Sequence, residues 1–232
     1  TDQLMGEIWG DRVPRRATAG LHVYVSELRK ILNRACPRRA ESPIVTHSPG
    51  YMLRCGTDEL DFQSFLELID LGRNFRREQC YQEASECFEA ALALWRGPVL
   101  GDLSDGPIVV SFATWMMETR LECIEILVDT HLHLGRHREL IGLLYSLIAE
   151  SPLREAFYRQ LMLALYHSER KADALKVYQQ ARTTLSEELG LEPCRTLQDI
   201  QRAILQSDDR SLACAAIDPA RIGRTPPAPA WA

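Results

Sequence analysis

The sequence predicts a mainly α protein in two parts, a small mixed unit at the N-terminus and a larger all-α unit after it. Three observations carry that expectation. Helix-period patterning runs through nearly all of 61–205, two segments of that stretch superpose on each other, and a single strand–turn–strand stretch lies within 43–54. The 232 residues, 46% hydrophobic and 25% charged, are enough to bury a core without disulfide staples.

The first element is TDQLMGEIWG, a short helix ended by Gly10, followed by a loop through Pro14. RATAGLHVYVSELRKIL, residues 16–32, reads as one longer helix with two unlike faces. Leu21, Val25, Leu28 and Leu32 recur at steps of four, three and four, which puts them on one apolar stripe predicted to face a core. The opposite stripe carries Ala19, Val23, Ser26 and Lys30, residues that are small, short or basic. PIVTHSPGYMLR then gives two strand-like runs, IVT and YML, around His47-Ser48-Pro49-Gly50, a small β-hairpin.

Helix, turn, long basic helix and hairpin is the order of the C-terminal part of a winged helix-turn-helix domain, assigned to residues 1–57. In that arrangement the second helix enters the DNA major groove and the hairpin touches the backbone. Small side chains let a helix approach base edges, where Ser26, Lys30 and His22 can form hydrogen bonds beside Ala19 and Val23. Arg15, Arg16, Arg29, Arg34, Arg38 and Arg39 are placed to neutralise phosphates. Thr18 on the first turn and His47 at the hairpin complete the candidate DNA-binding set. The plain alternative is an amphipathic surface helix whose polar side meets only water.

Charge divides the chain in the same place. Residues 1–57 hold nine Lys and Arg against five acids, a balance of +4, while the remainder holds 18 against 27, a balance of −9, within a total of −5. Only the N-terminal part is suited to a polyanion.

From Asp61 to about Leu205 the reading is helical: DFQSFLELIDLGRNF, CYQEASECFEAALALW, and a long helix through WMMETRLECIEILVDTHLHLG. WRGPVLGDLSDGP interrupts them with five Gly and Pro, and Trp95 at its start is expected to pack inward. GRHRELIGLLYSLIAESP and SERKADALKVYQQARTTL superpose so that Glu139 aligns with Asp173, Leu140 with Ala174 and Ile141 with Leu175. The shift equals the period of the tetratricopeptide helix-turn-helix unit. CYQEASECFEAALALW is a weaker third copy, set apart by an insertion. Residues 58–206 are therefore assigned to an all-α tetratricopeptide-like domain, and 207–232 to a disordered tail.

LHVYVSELRKIL followed by IVTHSPGYMLR resembles the OmpR-type winged helix of the Streptomyces antibiotic regulatory protein (SARP) family. ALALWRGPVLGDL, LGRHRELIGLL, SPLREAFYRQLMLALYHSERKADALKVYQQARTTLSEELGLEP and LQDIQRAIL are similar to its bacterial transcriptional activation domain. The resemblance implies a transcriptional activator of secondary-metabolite genes, acting as a side-by-side dimer on direct repeats in promoter DNA. Its implied protein partner is RNA polymerase, including the sigma subunit. It also implies that the N-terminal sheet and first helix of the winged domain lie before residue 1. Two positions depart from the family pattern: Gly20 offers no side chain to DNA, and Glu27 is acidic where a basic residue is usual.

Other classes find little support. His131, His133 and His137 are the densest set of possible metal ligands, but no HExxH accompanies them. There is no GxSxG or P-loop, so neither catalysis nor a cofactor is expected. No apolar run long enough to span a membrane and no secretory signal appears. Seven scattered cysteines without CxxC fit reduced thiols in a cytoplasmic protein without membrane contact. The competing expectation is a tetratricopeptide adaptor in which 1–57 form a cap that does not bind DNA.

Overall fold

The structure, a computed structural model, describes residues 1–35, 42–55, 60–101, 106–207 and 212. It is mainly α, as expected. Among the described residues the order is α1 (Asp2–Trp9), α2 (Ala17–Ala35), β1 (Ile44–His47), β2 (Gly50–Leu53), α3 (Asp61–Arg77), α4 (Tyr81–Ala93), α5 (Pro107–His133), α6 (His137–Glu150), α7 (Glu155–His167), α8 (Lys171–Leu189) and α9 (Arg195–Gln206). The chain forms two compact units. The first includes Thr1–Phe65 and Leu94–Thr119, the second Leu66–Ala93 and the helices that follow from Arg120. The segment before α5 and its first turns, within Leu94–Thr119, thus belong with the N-terminal elements, a grouping the charge break did not indicate.

In the first unit, α1 packs on α2. Trp9 stacks on Tyr24 with ring centroids 6.2 Å apart, and its ring also lies over Gly20. The hairpin is antiparallel with Ile44 opposite Leu53 and His47 opposite Gly50. α5 begins well before Trp115, where the periodicity starts it. Pro107 is not a breaker there but its first helical residue, where the missing N–H has no intrahelical partner to lose. The adjoining amides of Ile108 and Val109 donate to Glu7 Oε2 and Oε1 at 2.8 and 2.9 Å, so a carboxylate from α1 caps the distant α5. Gly106 is necessary for this approach. A Cβ at that position would lie 1.9 Å from Glu7 Oε1.

The second unit contains the repeat. α6 and α8 begin at His137 and Lys171, which are equivalent positions in the internal alignment. Each is preceded two positions earlier by a left-handed residue, Gly135 (φ 76°) and Glu169 (φ 64°), and Gln79 (φ 62°) stands in the same place before α4. The same turn recurs at all three. Cys80 N donates to Phe75 O, Arg136 N to His131 O and Arg170 N to Leu165 O, at 2.9, 3.0 and 2.9 Å, each a six-to-one Schellman closure. The α4 segment, read from the sequence as a weaker third copy, shares this turn.

α7 is the central element of this unit, buried without a break from Ala156 to Leu165. Its neighbours supply Leu144, Ile148, Val177, Ala181, Leu197, Ile200 and Ile204 to one core. Leu212, within the stretch expected to be an unpacked tail, is also buried in it. Burial on every side of α7 includes the polar side chains of Arg159 and Gln160, each paired through one of its nitrogens. Arg159 Nη2 meets both Asp129 carboxylate oxygens at 3.1 Å, and Gln160 Nε2 donates to Asp129 Oδ1 at 2.7 Å and to Glu125 O at 2.8 Å. Such a pair is costly to break on one side, because the remaining charge stays buried.

Candidate nucleic-acid interface

Helical geometry gives α2 three strips, and two are occupied. The core strip buries Ala17, Leu21 (3% exposed) and Val25 (7%). The expectation that Leu28 and Leu32 continue it holds only in part, since Leu28 is 49% exposed and Leu32 half-buried. The physical reason is the length of α1, which ends at Trp9 against Gly20 and Tyr24 and stops short of Leu28.

A second strip faces the hairpin. Arg29 Nε donates to Ile44 O and its Nη2 to Thr46 Oγ1, both at 2.9 Å, and the guanidinium lies 5.8 Å from the Tyr51 ring centroid. Its expected task was phosphate neutralisation, but here its donors hold the hairpin against the helix. His22, one strip position away, meets the Tyr51 ring edge-on at 6.3 Å and remains exposed. α1 lies along the core strip, with Trp9 against Gly20 and Tyr24 on one flank of it and the exposed Thr18 donating its hydroxyl to Met5 Sδ at 3.8 Å on the other.

The third strip is open. Ala19, Val23, Ser26 and Lys30 are all exposed, Val23 at 58%. Lys30 Nζ sits 2.8 Å from Glu27 Oε1, both side chains well exposed, so the pair is weakly held and readily exchanged. Arg15, Arg16 and Arg34 are exposed at either end of the helix, and His47 is exposed at the end of β1. Arg38 and Arg39 lie outside the described residues. The structure thus brings the small and basic residues onto one accessible surface beside a hairpin that is fixed to the same helix. Sequence reasoning missed two features that shape this unit, the Glu7 cap and the latching role of Arg29. Neither has a local signal, since Glu7 finds its partners on α5 and Arg29 on the hairpin.

The three histidines considered as metal ligands go to separate places. His131 Nε2 is 2.7 Å from Ser85 Oγ, His133 stacks on Tyr81 at 4.8 Å, and His137 stacks on His167 at 4.6 Å. Among the described residues no cluster could hold a metal, and no helix is long and apolar enough to cross a membrane.

Residues 60–205 match the family described as Bacterial transcriptional activator domain. The chain is 35% identical over 207 residues to the transcriptional regulatory protein EmbR of Mycobacterium tuberculosis, covering 88% of this chain and 53% of EmbR. It is 35% identical over 206 residues to the transcriptional regulator RedD of Streptomyces coelicolor, covering 88% and 59%. With the regulatory protein DnrI of Streptomyces peucetius the identity is 34% over 209 residues, covering 88% and 77%. The structure of M. tuberculosis EmbR in complex with a low affinity phosphopeptide is similar, with a TM-score of 0.85 at 33% identity over 92% of this chain and 56% of that one. The chain spans about half the length of the EmbR proteins it matches. With matches of this breadth in both sequence and fold, the chain belongs to the bacterial transcriptional activator domain family, of the SARP type.

Proposed function

We propose that the protein is a sequence-specific transcriptional activator, with α2 as the helix that reads promoter DNA and the tetratricopeptide-like unit as the part that engages the transcription machinery. The observation that carries this reading is the open strip Ala19–Val23–Ser26–Lys30, kept clear because Arg29 ties the hairpin to the adjoining strip. A helix held along its core and hairpin sides and open on the remaining one is suited to insertion into a major groove. The contrast between a +4 N-terminal part and a −9 remainder supports the same division of labour, because the acidic part is repelled by phosphate. In this reading the winged part is residues 1–57, the activation domain 58–206, and the target is direct repeats bound side by side, with RNA polymerase and its sigma subunit as protein partner. The names of DnrI, RedD and EmbR as regulators support control of gene expression, and the SARP type supports an antibiotic or other secondary-metabolite cluster as the regulon.

The test is transcription from purified components with the full-length protein. A promoter carrying two direct repeats should be bound, and transcript should rise when the protein is added. Binding without any rise removes the activator assignment. Absence of DNA binding leaves the adaptor reading in its place.

A further inference from the structure

The first unit contains a cavity of about 580 Å³ that the DNA-binding reading does not use. Its walls come from three stretches. The start of α3 gives Phe62 and Phe65, the segment 94–101 gives Trp95 and Val99, and the first turns of α5 give Phe112 and Met116. Sites that hold small organic molecules have this size and an apolar, aromatic lining with few polar groups.

The wall geometry narrows the kind of molecule. Phe62 meets Phe112 edge to face at 5.5 Å and 86°, and Phe65 meets Trp95 at 5.5 Å and 79°. A flat aromatic ligand can add to such arrays by the same offset and edge-to-face contacts. The rim is polar in one place, where Arg96 Nη2 donates to Asp61 Oδ2 at 2.7 Å, and both residues line the cavity. Because the two charges are paired, the rim offers N–H donors and carboxylate acceptors without a net charge. Both side chains are well exposed, so the pair is readily exchanged and a hydroxyl or carbonyl can join it.

We infer that this cavity is a binding site for a neutral, flat, polycyclic aromatic molecule whose hydroxyl or carbonyl groups lie along one edge and meet the Asp61–Arg96 pair. The site does not depend on DNA binding, but it adjoins the helix start that Glu7 caps: Phe112 is one turn beyond Ile108.

The probe is 1,8-dihydroxyanthraquinone, a three-ring molecule with its polar groups on one edge, titrated calorimetrically into the full-length protein. One saturable site per chain is expected. Val99→Trp, which fills the cavity, should weaken binding at least tenfold while the protein melts as the unaltered one does. If Val99→Trp perturbs melting, Leu100→Trp, at an exposed position on the same lining, takes its place. Arg96→Ala should weaken binding several-fold. Absence of saturation up to the probe's solubility overturns the assignment, as does binding that survives the filling variants. An unchanged affinity in Arg96→Ala overturns the placing of the polar edge.

Discussion

Glu7 and Gly106 form a pair whose effects should be coupled. Removing the Glu7 carboxylate leaves two amides at the start of α5 without their acceptors, so Glu7→Ala should cost about 0.5–2 kcal/mol, the usual range for a lost helix cap. Gly106→Ala places a methyl where the carboxylate now sits, so it should cost at least as much in the native background and little in Glu7→Ala. Denaturant unfolding of the four proteins measures this, and additive losses would show that the two residues act separately. Leu28 is a second case at this scale. Its helical position matches Leu21, but at 49% exposure Leu28→Ala should cost under about 1 kcal/mol, whereas Leu21→Ala, at 3%, should cost about 2–5 kcal/mol. Periodicity identifies which face of a helix can be buried, but not how far the neighbouring element extends along it. His137 gives a prediction in pH. Burial first, and the stacked His167 second, lower its pKa from 6.5. The unfolded chain therefore binds the proton more readily, so this contribution to stability is complete above pH 6.5 and is lost as pH falls towards the lowered folded value. Melting temperatures between pH 8 and 5 should fall more for the unaltered protein than for His137→Phe.

Among the elements, the repeat was the most legible and the turns between its helices the least. The internal alignment pairs Gly135 with Glu169, the left-handed residues before α6 and α8, but only one of them is a glycine. A sequence shows glycine as a marker of positive φ and gives no such marker for Glu169 or Gln79, which the six-to-one closures hold there. Relieving the backbone strain should be measurable: Glu169→Gly should stabilise the protein by about 1 kcal/mol, and Gly135→Ala should destabilise it by a similar amount. If both changes are neutral in denaturant unfolding, the shared turn is not what sets the start of these helices. α2 was legible as a two-faced helix because both stripes follow the helical period. Its division into strips facing the core with α1, the hairpin and solvent depends on partners distant in sequence, and the hydrogen bonds of Arg29 to the hairpin follow from that.

For the whole molecule, the charge break near residue 58 and the first compact unit divide the chain differently, since Leu94–Thr119 groups with the N-terminal elements. Net charge reports which surface suits DNA, while packing follows contacts such as the Glu7 cap, which no composition reveals. A fragment ending at residue 57 would lose the α5 amides that Glu7 holds, so function is best assayed in the full-length protein. The claim on which the rest depends is that the open strip of α2 reads DNA. It is tested most directly by fluorescence anisotropy, with the unaltered protein, Lys30→Ala and Arg34→Ala each titrated onto promoter and scrambled duplexes across a salt series. Lys30→Ala should lose about 1–3 kcal/mol of discrimination between the two duplexes with the salt slope nearly unchanged. Arg34→Ala should weaken both duplexes alike and reduce the log–log salt slope by about 0.9. If Lys30→Ala binds both duplexes as the unaltered protein does at every salt concentration, the strip faces water and the account of α2 is contradicted.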